Sequence, residues 1–559
     1  MTNLSNIKSF IKNDGIHACL ISKNNEFLNE ITNPQDNFLL KITKFTGSLG
    51  YAIILKNKQY LYVDGRYHQQ AKIQAKKFII KDISKMKIDL LKIVKTKGKI
   101  LIDPKTFSLN FIKSLKLKNF VFFNSINNKK NSKENIFYLN KNFSYLNKNF
   151  SGCEATKKIK DLSKQINLKK NEAFFIASPE NIGWLSNIRS KSKNFSKIVN
   201  CYALLKNNKL FIFSKYKINL KIKNVIFKKN SELESDLYKC NKIYFDKKYI
   251  SFHYFNLILE KKIKFIFFTD PIDRLKSIKN DTEITNLKIA HIFDGVAYAK
   301  FLFWLKNNKL NKICEKDCQL KIEFLKKNNK YYLGPSFETI SATEKNASII
   351  HYNAKDYKKT YLKKNHLLLF DSGSQYFFGT TDMTRTISLG KQSYFRKKIY
   401  TLILKAQIRL STLKIKKKMS GKFLDYIVRS QLTKVGLNYN HGTGHGVGYL
   451  SNVHETPPSI SKFSNDKIYP GQVTSNEPGY YQKKVFGIRL ENLIYLNNNR
   501  MFENLTLVPY ETSLIINSML TQIEKSWINN YHEEIYEKIY KFLNIAERDF
   551  FRNYCLKIN

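Results

Sequence analysis

The spacing of apolar and polar residues predicts a chain that alternates strands and helices from its beginning. The short apolar runs "HACLIS", "GYAIILKN" and "QYLYVDGRY", separated by turn residues, predict strands. The segment "HQQAKIQAKK" predicts a helix after them, and "KILIDP" a further strand. A similar order returns at 160–246, in "KDLSKQINLKKNEAFFIAS", "CYALLKNNKLFIFS" and "NKIYFD". We therefore expect two related α/β units.

The pattern changes at "TDPIDRLKSIKND" (269–281), where turn residues precede a long amphipathic helix, "TEITNLKIAHIFDGVAYAKFLFWL". Helices then alternate with hairpins to about residue 500, and the chain ends in helical patterns such as "LTQIEKSWINNYHEEIYEKIYKFL". The polar stretch 128–136 predicts a surface loop. These changes predict domains at 1–140, 141–275, 276–500 and 501–559.

Composition supports large packed cores and leaves the meaning of the charge open. Of 559 residues, 43% are hydrophobic and 14% aromatic, which excludes wholesale disorder. The formal net charge of +53 suits either a binder of nucleic acid or anionic membranes, or a compositional drift toward lysine. Because the lysines are scattered through every segment, we favour the second interpretation. We expect no specific nucleic-acid partner, no membrane association, and only weak, salt-dependent attraction of anions.

The cysteines and the apolar runs indicate a cytoplasmic protein. Seven widely spaced cysteines, an odd number, favour reduced thiols. Cys314 and Cys318 could share a helix face, but no second pair completes a zinc site. The start "MTNLSNIKSF" lacks the apolar core of a signal peptide, and no run approaches the roughly 18 apolar residues of a spanning helix.

Two acidic pairs stand in segments that read as hairpins. In "HLLLFDSGSQYFFGTTDMTRTISL" an apolar run leads into Asp371, and a turn between Tyr376 and Phe377 would place Asp382 opposite it. In "VTSNEPGYYQKKVFGIRLENLIYL" a turn centred on Lys484 would place Glu477 opposite Glu491. Like charges opposed on buried strands are destabilising unless a cation lies between them.

Between the two pairs lies "HGTGHGVG" (441–448), which uses four of the chain's 21 glycines and contains His445. Four carboxylates and one imidazole suit two divalent ions, whose charge they balance. Oxygen-rich ligation with a single histidine favours Mn²⁺-like ions over a structural zinc site. The sequence thus predicts a metal centre at Asp371, Asp382, His445, Glu477 and Glu491.

The order and wording of these motifs resemble the pita-bread metallopeptidases, and most closely the long three-domain Xaa-Pro aminopeptidases. The resemblance includes "YVDGRYHQQA", "IGWLSNIR", "GPSFETISA", "HYNA", "HGTGHGVGYLSNVHE", "NEPGYY" and "GIRLEN", with "LTLVPYE" and "WINNYHEEIYEKI" near the end. It implies an α/β (α+β) fold: two creatinase-like N-terminal domains, a pita-bread catalytic domain and a C-terminal helical extension packed with it. The segment "SKSKNFSK" departs from relatives, which usually have a Gly-Asp turn and a proline there.

The resemblance also implies roles for these residues. Two divalent ions, Mn²⁺ before Zn²⁺ or Co²⁺, would activate a water, and the ligand Glu477 would be the general base. Arg489 and Tyr481 would hold Asp371. His351 and His454 would stabilise the tetrahedral intermediate and contact the substrate, His441 would line the proline pocket, and the "HGTGHGVG" glycines would let backbone pass close to the metals. Arg66 in "DGRY" would reach toward the substrate entrance.

The implied activity is release of the first residue from peptides with proline in second position, by a homodimer. A prolidase restricted to Xaa-Pro dipeptides is the nearest alternative. An inactive binding module on the same fold and a creatine-type hydrolase without metal are two others. The complete set of predicted ligands disfavours the last two.

Overall fold

The computed structural model describes residues 4–13, 15–94, 98–123, 138–139, 143–192, 195–416 and 419–559, and their packing divides the chain into two units. Unit 1 comprises Met1–Asn147, Cys153–Ser190 and Ile198–Ile272. Unit 2 comprises Lys148–Gly152, Lys191–Lys197 and Asp273–Asn559. The loop predicted at 128–136 lies outside the described residues, and the domain limits at 140, 275 and 500 stay predictions.

The first sheet of unit 1 has six strands in the order β4-β3-β2-β1-β5-β6. Its strands are β1 (Ile16–Ser22), β2 (Tyr51–Ile54), β3 (Gln59–Val63), β4 (Ile79–Asp82), β5 (Lys99–Ile102) and β6 (Phe120–Phe122). The helices of this region are α1 (Leu4–Asn13), α2 (Phe38–Thr43), α3 (His68–Gln74), α4 (Met86–Val94) and α5 (Leu109–Leu115). The apolar side chains of β1 are buried against two hydrophobic clusters, which explains its continuous apolar pattern.

The second sheet repeats the first, in the order β14-β12-β11-β9-β15-β16. The strands of this region are β7 (Tyr138–Leu139), β8 (Phe143–Tyr145), β9 (Glu172–Ile176), β10 (Ile188–Ser190), β11 (Cys201–Lys206), β12 (Lys209–Ser214), β13 (Tyr216–Lys217), β14 (Val225–Lys229), β15 (Lys242–Phe245) and β16 (Lys264–Phe267). Its helices are α7 (Ala155–Ile166), α8 (Pro179–Ser186), α9 (Leu233–Tyr238) and α10 (Phe252–Glu260), while the short α6 (Lys148–Ser151) belongs to unit 2.

Corresponding pairs in the two sheets have the same direction. In both sheets the second and third pairings in this order are antiparallel, and the first, fourth and fifth are parallel. The expectation of two related α/β units is therefore confirmed by their topology.

Unit 2 is built on long capped helices. The predicted long helix is α12 (Asp281–Lys306), which begins with a capping box in which Asn280 and Glu283 bond each other's backbone N–H groups. The other helices are α11 (Ile272–Ser277), α13 (Glu315–Lys327), α14 (Tyr394–Ser411), α15 (Gly421–Thr433), α16 (Gln522–Ile539) and α17 (Ile545–Tyr554). None of the described helices is long and apolar enough to cross a membrane.

The strands of unit 2 pair antiparallel in several small sheets, and a bridge between Thr384 and Glu491 connects the regions of the two acidic hairpins. They are β17 (Tyr332–Pro335), β18 (Ile340–Thr343), β19 (Leu367–Asp371), β20 (Ser374–Tyr376), β21 (Gly379–Thr380), β22 (Thr384–Ser388), β23 (Gly444–Gly446), β24 (Glu455–Ile460), β25 (Val473–Asn476), β26 (Gly479–Gln482), β27 (Phe486–Arg489), β28 (Asn492–Leu496) and β29 (Phe502–Asn504). A large core formed by α14, α15, α16 and the inner strands lies beneath them, so the site rests on rigid elements.

Candidate metal centre

The five predicted ligands lie at the ends or centres of neighbouring strands of unit 2. Asp371 ends β19, and Asp382 lies between β21 and β22. His445 is the middle residue of β23, Glu477 follows β25, and Glu491 precedes β28. Strand ends held by antiparallel pairing give such side chains a fixed place.

The first hairpin differs in register from the prediction. The turn lies at Phe377–Phe378, one residue later than expected, so Asp371 pairs with Thr384 and not with Asp382. The two phenylalanine rings pack against Phe150, at 6.3 and 5.7 Å between ring centroids, which explains why they occupy the turn. Asp382 stands two residues before Thr384 and therefore still faces the same side as Asp371, diagonally across the ladder.

The second hairpin has the predicted register. Tyr481 pairs with Gly487 in β26–β27, and Asn476 pairs with Asn492 in β25–β28, which centres the turn on Lys484. Both pairings continue to Glu477 opposite Glu491, so the predicted register is confirmed.

The ligand atoms converge on one small volume. Single ligand atoms of Asp382, His445 and Glu491 all lie within 4.8 Å of one another. His445 Nε2 is 3.6 Å from Asp382 Oδ2 and 3.5 Å from Glu477 Oε1. The other ring nitrogen, Nδ1, lies 2.9 Å from the Gly446 carbonyl oxygen. A proton on Nδ1 then leaves the Nε2 lone pair directed at the acids, the form in which an imidazole binds a metal.

Two carboxylate oxygens of this cluster show that the residues fit a cation. Asp371 Oδ1 and Asp382 Oδ1 are buried and have no hydrogen-bond partner among the described residues. An acceptor in that position is costly unless a cation satisfies it. Carboxylate oxygens with one imidazole are a suitable donor set for a divalent metal.

The pKa shifts of the clustered carboxyl groups also indicate that these residues fit a divalent cation. Burial raises the pKa of Asp382 and Glu491 well above the usual carboxyl range, and repulsion from the neighbouring carboxylates adds to it. Burial likewise raises the pKa of Glu477 to about 7 and that of Asp371, although Arg489 acts in the opposite direction on both. Bound divalent cations would reverse this balance and favour the ionised carboxylates.

Arg489 contacts the predicted ligand Asp371 directly, and Tyr481 contacts Arg489. Arg489 Nη2 donates to Asp371 Oδ2 at 2.5 Å, and Nη1 donates to the Tyr481 hydroxyl at 2.8 Å. Arg489 Nε donates to Thr384 Oγ1, which itself donates to Glu491 Oε2 at 2.7 Å. One chain of hydrogen bonds therefore fixes ligands from both hairpins.

Two of the predicted substrate histidines lie beside the cluster. His441 Nδ1 is 3.9 Å from Glu477 Oε2, and its Nε2 is 3.0 Å from the Tyr481 hydroxyl. The His454 ring meets the His445 ring edge to face, 4.5 Å between centroids. His351 is half-buried and follows the 3₁₀ helix Glu344–Ser348. The substrate roles of all three stay predictions.

Arg66 belongs to unit 1, in the turn after β3. Its guanidinium donates two hydrogen bonds to the Asp64 carboxylate, at 2.7 and 3.0 Å, and lies 5.4 Å from the centroid of the Tyr67 ring. Its predicted contact with substrate stays a prediction.

Two glycines of "HGTGHGVG" allow close packing of strands, and the expected approach of backbone to the metals stays a prediction. A Cβ on Gly444 would lie 2.0 Å from the Ser475 carbonyl oxygen, and one on Gly446 would lie 2.5 Å from that of Glu455. Both contacts are with neighbouring strands. These two glycines therefore allow the strand bearing His445 to approach β24 and β25 closely.

Sequence reasoning missed several residues that hold the site. Thr384 could have been found, because it stands two residues after Asp382 and so shares its face. Asp294 on α12 accepts hydrogen bonds from the hydroxyls of Ser374, Tyr376 and Thr381, all within the hairpin between the two aspartates. No local pattern connects Asp294 with that hairpin, about 80 residues away in the chain.

Comparison with known proteins identifies the family to which this chain belongs. The family models matched are Metallopeptidase family M24 at residues 285–498, Creatinase/Prolidase N-terminal domain at 138–283, and the C-terminal region of peptidase M24 at 500–558. Xaa-Pro aminopeptidase 1 of Dictyostelium discoideum is 31% identical over 597 aligned positions, covering 95% of this chain and 92% of that protein.

Solved structures show the same fold. X-prolyl aminopeptidase from Caenorhabditis elegans, described as a cytosolic enzyme with a di-nuclear active site, is 24% identical with a TM-score of 0.89 and covers 99% of both chains. The prolidase from Pyrococcus horikoshii is 24% identical with a TM-score of 0.52, and covers 64% of this chain and 99% of that one. The fold is therefore the creatinase and pita-bread arrangement that the sequence predicted. The chain belongs to metallopeptidase family M24, in the long-chain group that contains these Xaa-Pro aminopeptidases.

Proposed function

We propose that this protein is a metal-dependent aminopeptidase that releases the first residue of peptides with proline in second position. The buried cluster of Asp371, Asp382, His445, Glu477 and Glu491 carries the proposal. Membership of a family of metallopeptidases and the likeness to Xaa-Pro aminopeptidases along nearly the whole chain support it.

Asp371, Asp382, His445, Glu477 and Glu491 would hold two divalent ions, with Mn²⁺ favoured by the oxygen-rich donor set and Zn²⁺ or Co²⁺ as alternatives. The ions would lower the pKa of a water molecule and polarise the peptide carbonyl. Thr384 and Arg489 orient the carboxylates of Glu491 and Asp371, so that the ligands are in place before substrate arrives.

Glu477 is the proposed general base. Its Oε1 accepts a hydrogen bond from Ser475 Oγ at 3.2 Å, which orients the carboxylate. It would take the proton of the attacking water and deliver it to the leaving proline nitrogen. The proline nitrogen, like any amide nitrogen, leaves the tetrahedral intermediate only once it is protonated.

The histidines would act on the substrate. His454 and His351 would donate to the oxygen that becomes negative in the tetrahedral intermediate. His441 would line the pocket for the proline ring, beside Tyr481. A homodimer, a cytoplasmic location and a contact of Arg66 with substrate belong to the same proposal. The odd number of widely spaced cysteines, seven, favours reduced thiols and supports a reducing compartment.

The test is peptide cleavage by protein stripped of metal with a chelator, with and without added Mn²⁺. The substrates are an Xaa-Pro-Yaa tripeptide, an Xaa-Pro dipeptide and an Xaa-Ala-Yaa control. We expect free Xaa from the tripeptide alone, and only when Mn²⁺ is restored. Cleavage confined to the dipeptide would make the protein a prolidase, and no turnover with any divalent ion would overturn the assignment as an enzyme.

A further inference from the structure

A buried ion pair on α15 supports the backbone of the segment that contains His441. Asp425 and Arg429 stand four residues apart on the helix and form a bidentate pair, with bonds of 2.9 and 2.8 Å. The Asp425 side chain is 2% exposed and that of Arg429 is 13% exposed. The pair therefore lies almost entirely out of water, where its geometry is well fixed.

Arg429 uses its remaining donors on the segment that leads into the site. Nη1 donates to the Tyr439 carbonyl at 2.7 Å and Nη2 donates to the His441 carbonyl at 2.9 Å. The guanidinium also lies over the Tyr439 ring, 3.9 Å from its centroid. The Tyr439 ring in turn contacts the His441 imidazole, with 4.8 Å between centroids.

Asp425 holds the next turn of the same segment. Its Oδ1 accepts from Thr443 Oγ1 at 2.7 Å, and the Thr443 carbonyl accepts from the backbone N–H of Glu477 at 2.8 Å. The helix itself is fixed, since the Ser420 hydroxyl caps its first turn and Leu424, Val428 and Leu432 are buried in the core. The ion pair thus connects a rigid helix with the backbone at both His441 and Glu477.

We propose that Arg429 and Asp425 are positioning residues that set the place of the His441 imidazole and, through it, the affinity for the proline side of the substrate. This inference rests on the proposed function. Neither residue touches the reacting atoms. A lysine at 429 would keep the charge but could not hold a carboxylate and two carbonyls in one plane.

The experiment compares Arg429→Lys with wild-type protein on an Xaa-Pro-Yaa tripeptide, with rates normalised to bound metal. We expect KM to rise about tenfold while kcat changes less than twofold, because the transition-state contacts at the metals are kept. Arg409→Lys, an exposed arginine on α14, is the matched control and should behave as wild type. A KM equal to that of wild type overturns the proposal. Partial unfolding cannot be mistaken for the expected result, because loss of folded protein lowers the apparent kcat and leaves KM unchanged.

A double-mutant cycle identifies the residue through which Arg429 acts. In a His441→Ala background, Arg429→Lys should have no further effect on kcat/KM, since the group that it positions is gone. Full additivity, or a His441→Ala variant with unchanged KM, overturns the proposal. If Arg429→Lys does not fold, Asp425→Asn is judged by KM and by the double-mutant cycle alone, because Asp425 also supports the backbone of Glu477 through Thr443. The wild-type rate in the same assay tests the proposed function separately.

Discussion

The buried side chain of Arg385 holds the backbone of Glu491, one of the predicted metal ligands. It is 1% exposed and points away from the face that its neighbour Thr384 shares with the acids. Its Nη1 donates to the Glu491 carbonyl at 2.7 Å, and Nη2 donates to the Val508 carbonyl and to Asn492 Oδ1. The backbone of Glu491 is thus held by Arg385, and its carboxylate by Thr384, before any ion binds.

Asp382→Asn should separate catalysis from stability. With one ligand lost, we expect kcat/KM to fall at least about 100-fold. The metal-stripped variant should nevertheless be more stable than metal-stripped wild type by about 1 kcal/mol at neutral pH, because a buried carboxylate repelled by Glu491, Asp371 and Glu477 has been removed.

Peptide cleavage and urea unfolding of the two metal-stripped proteins measure these effects. Asp161→Asn, an exposed aspartate of α7 in unit 1, is the control and should change neither. A metal-stripped Asp382→Asn protein less stable than wild type would contradict the repulsion between the acids.

His532 should make unit 2 sensitive to acid. Its Nε2 accepts from the Tyr510 N–H at 3.0 Å, so the ring is neutral, and burial followed by the charge of Arg385 lowers its pKa to about 3. The unfolded chain, with a pKa near 6.5, binds the proton more readily. The stability is therefore complete above about pH 6.5 and falls as the pH decreases toward 3, by about 2 kcal/mol at pH 5.

His532→Gln retains an acceptor for Tyr510 and cannot take up a proton in this range. Urea midpoints at pH 7 and pH 5 should differ less for His532→Gln than for wild type. His68→Gln, in which the replaced side chain is 40% exposed, should keep the wild-type difference. Equal pH dependence in wild type and His532→Gln would show that other groups govern acid unfolding.

At the scale of elements, the site depends on how closely strands approach. β23 lies between β24 and β25, and the register with β24 shifts between His445 and Gly446. The Cβ-free backbone of Gly444 permits the contact with Ser475, and the Ser475 hydroxyl in turn accepts a hydrogen bond from the His445 N–H at 2.9 Å. The position of His445, a predicted metal ligand, is thus determined by main-chain packing.

Gly444→Ala should therefore push β23 away from β25. We expect a loss of stability of about 1–3 kcal/mol, because the added methyl group meets fixed backbone and not a flexible side chain. Thermal unfolding and metal content together measure this effect, and the affinity for Mn²⁺ should fall as well. Gly183→Ala, in helix α8 with its nearest atom at 3.4 Å, is the matched control and should be neutral or stabilising. Unchanged metal affinity in Gly444→Ala would contradict a role for this packing.

The elements also show what the sequence could reveal. The hairpin at Lys484 was predictable in register, because the pairs of β25–β28 and those of β26–β27 follow one register on both sides of Glu477 and Glu491. The hairpin at Phe377 was not, because rings distant in sequence, including those of Phe293 and Tyr331, pack on Phe378 and decide where the chain turns. The residues predicted as ligands could be identified from local motifs. The residues of α12 and α15 that support them could not, since their contacts are made only by tertiary packing.

At the scale of the whole molecule, the positive charge is mostly a surface property. Some buried lysines have acidic partners, as Lys279 has Glu455 at 2.5 Å and Lys326 has Asp294 at 3.5 Å, while Lys197 bonds backbone carbonyls. The remaining excess is distributed along the chain, as expected for a solvated surface. Positive charge distributed in this way attracts polyanions such as nucleic acids whatever their sequence.

Fluorescence anisotropy with two labelled duplexes of unrelated sequence tests this expectation. At about 20 mM salt we expect similar, weak binding to both duplexes, and at about 300 mM salt we expect none. A preference for one duplex that survives the higher salt would restore nucleic-acid binding as a function of this protein.

Unit 2, which contains the predicted metal centre, includes the short segment Lys191–Lys197, which precedes the main part of the unit by about 75 residues in the chain. Gln375 Nε2 donates to the Phe195 carbonyl at 2.9 Å, and Lys197 Nζ donates to the Leu333 carbonyl at 2.9 Å. A gene cut to begin at Asp273 would encode all five predicted metal ligands and still omit these contacts. The part of unit 2 that begins at Asp273 is therefore not expected to fold and function by itself. A shortened protein would need a substitute for the contacts made by the segment Lys191–Lys197.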